Sequence, residues 1–348
     1  MIPGLIDAHV LITGVEPDIA RYRTFLHALL LGGVTGMRNM AGDDRLLQYL
    51  ADQANSDAFA APDIVYAALM SGPSFFAEDP RAQAASRDEP LGFAPWMQAI
   101  TARTNIPLAV AEAKGTGATG LKLYANLPAA LVDAITAEAR RRRRGCGGGG
   151  RGHHLAQPVP GMAGLVARPG RIQDARARRL RARVAGGPEF LDLFCAMKKR
   201  HTVLDATLVV LKNEAENHPG AAGAGIMPWS YAITRLAHRQ GVLIDACTDD
   251  PGLPEARRSP DLAALPTVHQ EMQLWVEHCG FTPVQAIQAA TEVSAMALGQ
   301  PARMGTIVPG KLADLVVLEA DPSHDIRNTR RIAYVVKDGR TYTRTAAR

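Results

Sequence analysis

Three short stretches of the chain place residues that could bind a metal or move a proton at the ends of apolar runs. "GLIDAHVLI" (4–12) carries His9. Alternate side chains of a strand share a face, so a paired metal site would want a second ligand at position 11, where Leu11 stands. A lone strand histidine is more often a hydrogen-bonded core residue. "GLKLY" (120–124) carries Lys122, whose plainest role is to pair with a nearby acid. "GVLIDACTDD" (241–250) ends on Asp249 and Asp250. Neighbouring strand residues face opposite sides, so at most one of the two serves a common site, and the pair could equally cap a helix.

These stretches belong to a chain in which strands and helices alternate. Strands are expected at 4–12, 33–40, 62–70, 117–125, 202–211 and 241–249. Helices are expected at 19–31, 128–142, 188–199, 228–240, 264–279 and 283–297. Near-continuous apolar strands separated by helices call for a parallel sheet covered on both faces. A barrel wrapped by helices and an open doubly wound sheet both meet that demand. From Met304 the texture changes to short β segments joined by turns, with no helix expected between them.

The formal charge of +5 conceals a local excess. Arg140 to Gly187 holds thirteen arginines and one acid, a balance of +12, which leaves −7 on the remaining 300 residues. The segment has no aromatic residue and no lysine. Structureless loops of this length are uncommon inside compact domains, so its Arg/Gly/Ala/Pro composition points to translation of a GC-rich coding sequence in a shifted frame, with a flexible basic loop as the alternative. Without aromatic residues to stack on bases, these arginines do not suggest specific nucleic-acid recognition. Four dispersed cysteines form no CxxC pair and read as reduced thiols. No signal-peptide pattern and no apolar run of membrane-spanning length is seen, which together suggest a cytoplasmic protein that does not associate with membranes.

Taken together, "PGLIDAH" (3–9), "GVTGMRNM" (33–40), "GATGLKLY" (117–124), "GVLIDACTDD" (241–250), "TPVQAIQAAT" (282–291) and especially "MGTIVPGKLADLVVLEADP" (304–322) resemble the metal-dependent amidohydrolase superfamily, in its imidazolonepropionase-like and prolidase-like members. The resemblance implies an α/β fold: a TIM (β/α)8-type barrel over 1–300, incomplete around strands 5–6 where 140–187 falls, and the C-terminal strands of a small composite β-sandwich over 301–348. It also implies one or two divalent ions, zinc by preference. His9 matches a first-strand metal ligand. Lys122 matches the lysine that becomes a bridging carbamate, and Asp249 the last-strand aspartate that is both metal ligand and proton shuttle.

The family's two remaining histidines should fall within 143–175, where only the adjacent His153 and His154 occur, and these are read as coincidental. His269 should pack behind the site. Family members carry a β-rich stretch ahead of "PGLIDAH", so the C-terminal strands are expected to lack part of their sheet. The function implied is metal-dependent hydrolysis of a C–N bond in an amide, cyclic amide or dipeptide, weakened by Leu11 and the altered middle. A catalytically inactive binding or structural relative is the competing reading. The partner is a small molecule, and the sequence leaves room for a homo-oligomer.

Overall fold

The computed structural model describes residues 1–12, 18–56, 59–124, 126–144, 188–217, 225–250 and 265–343. Most of 140–187, with His153 and His154, lies outside the described residues.

The chain begins with β1 (Ile2–Pro3) and β2 (Leu5–Val10). All six residues of β2 are buried, as expected of a strand covered on both faces. Helix α1 (Ile19–Leu31) starts where the Asp18 side chain accepts from the Arg21 N–H, and Gly32 closes it. Gly33 then turns the chain at φ +90°, a conformation that side chains other than glycine's disfavour, and leads into β3 (Val34–Asn39). Helix α2 (Asp44–Asn55) is capped by Asp43 in the same way. Strand β4 (Asp63–Ser71) follows, then α3 (Pro73–Glu78), α4 (Pro80–Ser86), the hairpin of β5 (Phe93–Ala94) and β6 (Met97–Ala99), α5 (Ile106–Gly115), β7 (Gly120–Leu123) and α6 (Ala129–Arg144).

After the undescribed middle come α7 (Pro188–Arg200), β8 (Val203–Asp205), α8 (Leu208–Asn217), α9 (Ile226–Arg239) and β9 (Leu243–Asp245). Helix α10 (Val268–His278) precedes α11 (Pro283–Gln288), which starts with a reciprocal Thr282–Gln285 capping box. One π-turn (Ala289–Val293) joins α11 to α12 (Ser294–Ala297). The chain closes with β10 (Leu315–Leu318), β11 (Ile332–Lys337) and β12 (Arg340–Tyr342).

The described strands form three sheets. Strands β2, β3 and β4 pair in parallel, and β4 also pairs in parallel with β6 and β7. Strands β8 and β9 form a separate parallel pair. Among the described residues two backbone bonds join this pair to the first sheet: Ala8 N–H to the Ala246 carbonyl at 2.7 Å, and Asp249 N–H to the His9 carbonyl at 2.8 Å. The first and last strands of the α/β unit thus lie side by side. Among the described residues no ladder links β7 to β8, so no closed barrel is seen; the gap falls where strands 5–6 of the expected incomplete barrel would lie. The third sheet has the order β1-β10-β11-β12, all antiparallel.

Several expectations are corrected here. The strand expected over 202–211 ends at Asp205, and its second half is α8. The Glu271 carboxylate accepts from the Leu208 and Val209 N–H groups, satisfying donors that a helix start leaves free. A 3-10 turn (Ile326–Arg330) interrupts the C-terminal strands, where no helix was expected. The C-terminal sheet gains a two-residue antiparallel partner from the start of the chain, β1 on β10, a pairing that was not expected.

A continuous apolar core, including the fully buried Trp275, Phe190, Phe194, Leu26 and Met37, lies between the sheets and their covering helices. No helix among the described residues is long and apolar enough to cross a membrane.

Candidate active site

His9, Lys122 and Asp249 come together at the C-terminal ends of β2, β7 and β9. The pairing explains how. Strand β7 lies on β4 with Lys122 opposite Leu69, and the segment after β9 runs beside β2, so that Asp249 bonds through its own N–H to His9. Asp7 reinforces this seam, its buried carboxylate accepting from the Thr248 N–H at 3.2 Å and the Thr248 hydroxyl at 2.7 Å. Burial is the main influence on Asp7 and pushes it up to about 7, despite these bonds. Asp249 itself has a φ of +55°, in the left-handed region that a residue with a Cβ rarely adopts.

His9 is flanked on both sides. Its Nδ1 lies 3.1 Å from Asp205 Oδ2, and its Nε2 lies 3.2 Å from Asp249 Oδ1. The first contact has hydrogen-bond geometry; the second is an ion-pair approach in which Nε2 has no aligned partner. Burial alone would lower the His9 pKa, but the Asp249 charge and the Asp205 bond outweigh it and raise it. Burial would likewise raise Asp249, yet His9, Lys122 and Arg81 hold its carboxyl well below the usual carboxylate range. Lys122 is pushed down by burial, against the pull of Asp249 and Asp205. Its Nζ lies 4.8 Å from the centre of the Tyr124 ring. Burial raises the Tyr124 hydroxyl to about 12.

The donor set suits a divalent cation. With zinc–nitrogen and zinc–oxygen bonds near 2.0–2.2 Å, two ligands of a tetrahedral ion sit about 3.3 Å apart. The buried, unaligned Nε2 and the Asp249 oxygen have that separation. Asp205 on Nδ1 would fix the imidazole tautomer and leave the Nε2 lone pair free for the ion. Leu11, just beyond the end of β2, has no lone pair to add. Asp250 engages the chain through its backbone carbonyl, which accepts from the Thr267 hydroxyl. His269 is buried away from these groups, with Nδ1 3.0 Å from the Thr329 hydroxyl and Nε2 2.9 Å from the Gly32 carbonyl.

Sequence reading missed Asp205, Asp245 and Cys247. The only signal for Asp205 was its acid character inside an apolar run, and Cys247 was taken for an ordinary thiol. Asp205 and Asp245 are register partners across β8 and β9. One ligand atom from each of the three lies within 4.8 Å of those from the other two.

The architecture is that of an α/β protein with its polar groups gathered at strand ends. Residues 206–342 match the sequence profile described as the Amidohydrolase family, so the resemblance to amidohydrolases holds over the C-terminal part of the chain. Solved structures extend the likeness of fold to nearly the whole chain. A. niger ochratoxinase aligns at a TM-score of 0.70 and 20% identity, covering 98% of this chain and 83% of that one. A Xaa-Pro dipeptidase with bound methionine aligns at 0.69 and 21%, covering 98% and 86%. Molinate hydrolase aligns at 0.67 and 17%, covering 98% and 82%. No curated protein sequence matches the chain.

Proposed function

We propose that the protein is a metal-dependent hydrolase of amide-type C–N bonds in small molecules such as dipeptides, N-acyl amino acids or cyclic amides. The carrying observation is the 3.2 Å approach of His9 Nε2 to Asp249 Oδ1, unaligned for a hydrogen bond, within reach of the charge of Lys122 on β7. His9 and Asp249 would hold a divalent ion, zinc by preference, together with Lys122 as its carbamate. A bound ion supplies Lewis acidity toward a carbonyl oxygen and toward water. Burial favours the neutral amine of Lys122, the form that takes up carbon dioxide, and carbamylation turns a repelling cation into an anionic oxygen donor. Asp249 would take a proton from the attacking water and pass it to the leaving nitrogen. The names of the similar structures, a dipeptidase and other hydrolases, are in keeping with this reading.

A second reading, that the site is a sealed remnant, is favoured by the two aspartates that grip His9 as an ion pair and by Leu11 in place of a second donor. One experiment separates the two. The full chain is stripped with a chelator, reloaded with zinc or manganese in bicarbonate buffer, and assayed for amine release from Xaa-Pro dipeptides, N-acyl amino acids and cyclic amides. Metal-dependent release that falls about 10²-fold or more in Asp249→Asn supports the enzyme reading. Release that is absent, or indifferent to metal and to Asp249→Asn, supports the remnant.

A further inference from the structure

We propose that Asp205, Asp245 and Cys247 form a second divalent-cation site, of zinc type, buried beside the His9 centre. Three observations converge on it. First, the parallel pairing of β8 and β9 sets Asp205 directly opposite Asp245. Cys247 follows two residues beyond Asp245, just past the end of β9. Two carboxylates and a thiol are thereby brought together, and their ligand atoms lie within 4.8 Å of one another.

Second, Asp245 is fully buried with no donor aligned on either carboxylate oxygen, and the side chains that act on it at short range are those of Asp205 and Cys247 themselves. A charged carboxylate taken out of water without donors is strongly unfavourable, so such a group is expected to hold a cation or a proton. The nearby Arg38 acts on the pair only through space, because its guanidinium donates to the Ala8 and Ala297 carbonyls, each at 2.8 Å.

Third, the donor chemistry selects the ion. A thiolate with two carboxylate oxygens suits zinc, whereas calcium and magnesium take oxygen ligands only. The Cys247 thiol donates to the Asp245 carbonyl across 3.7 Å, a weak bond that it would give up along with its proton on binding the ion. Side-chain rotations of about 1 Å would draw the three ligand atoms to the spacing of a tetrahedral ion. Asp205, already 3.1 Å from His9 Nδ1, would then connect this ion to the imidazole. The role follows from the place: the ion would neutralise buried acids and fasten β8 to β9, with no open path to substrate required.

The test is cobalt(II) titration of the metal-free full chain carrying Cys146→Ser and Cys195→Ser. The His9 centre contains no thiol, so a thiolate-to-cobalt charge-transfer band in the near ultraviolet reports the new site alone. The expected result is a band that saturates at one equivalent and persists in Asp249→Asn. It should disappear in Cys247→Ser, and in Asp245→Asn it should need at least about tenfold more cobalt. Lack of a band in the parent overturns the proposal, and the two aspartates then share a proton. A band that survives Cys247→Ser also overturns it. A parent chain that shows the band but releases no amine when loaded with metal would refute the hydrolase reading and leave this site standing, whereas an active parent without the band would do the reverse.

Discussion

At the scale of single residues, the chain tolerates several acids where water cannot reach them. Asp44 opens α2 fully buried, with Oδ2 accepting from the Thr116 hydroxyl at 2.6 Å and Oδ1 unpartnered. Burial raises its pKa from 3.8 to about 7, with the neighbouring Asp43 adding to the rise and Thr116 opposing it. The sign of the linkage is set by a folded value above the unfolded one. No penalty exists below the unfolded value. The fold loses stability as pH climbs from about 3.8 to about 7, because the unfolded chain releases this proton first. Asp44→Asn should remove that slope. Compared by chemical denaturation at about pH 5 and about pH 8, the variant should gain roughly 1–3 kcal/mol on the parent at the higher pH, any pH-independent cost of the amide cancelling in the difference. Parallel pH profiles for parent and variant would refute this account of Asp44. The left-handed Asp249 is another local cost, of order 1 kcal/mol or more, tolerated where it brings a carboxylate to His9.

At the scale of elements, a buried cation is one of the links between the small sheet and the α/β unit. Lys337 on β11 lies 3.0 Å from Asp63 on β4, 3.5 Å from Asp314 ahead of β10 and 2.5 Å from Asp338. Burial opposes its charge, but the aspartates outweigh that and raise its pKa. Lys337→Met keeps the length of the stem and removes the charge, leaving Asp63 and Asp314 buried without their cation. A loss of about 3–5 kcal/mol in urea unfolding is expected. A change below about 1 kcal/mol would show the cluster to be energetically idle.

The same scale explains which elements could be read in advance. Those with local signals were legible: β2 from its apolar run, and α1 and α11, which start where helices were expected. Helix α8 was not, because "LVVL" suits a buried strand and a buried helix equally. Its start is satisfied by Glu271, more than sixty residues away, which no local pattern could reveal. The antiparallel pairing of β1 with β10 was hidden for the same reason, since it joins opposite ends of the sequence.

For the whole molecule, similarity of fold spans nearly all of the chain, while the matched family profile begins only at residue 206. Three acid-base groups were legible as candidates through the motifs that resemble those of amidohydrolases, and the structure brings them to the ends of β2, β7 and the segment after β9. Their flanking groups were not legible. Asp205 reaches His9 across 196 positions, and Asp205 meets Asp245 only through the register of two strands.

The junction between first and last strands has a consequence for how the site comes apart. Only two amide protons, those of Ala8 and Asp249, cross it as backbone bonds among the described residues, and His9 lies between Ala8 and the strand end. Partial opening there would separate His9 from Asp249 while the helices remain packed, so the candidate site should lose its geometry well before the molecule melts. Hydrogen–deuterium exchange can watch this directly. The Ala8 and Asp249 amides should exchange faster than those in the middle of β3, and a zinc ion bridging His9 and Asp249 should slow both by at least about tenfold. Equal protection of all three strands, unchanged by zinc, would mean that the two strands part only when everything else does.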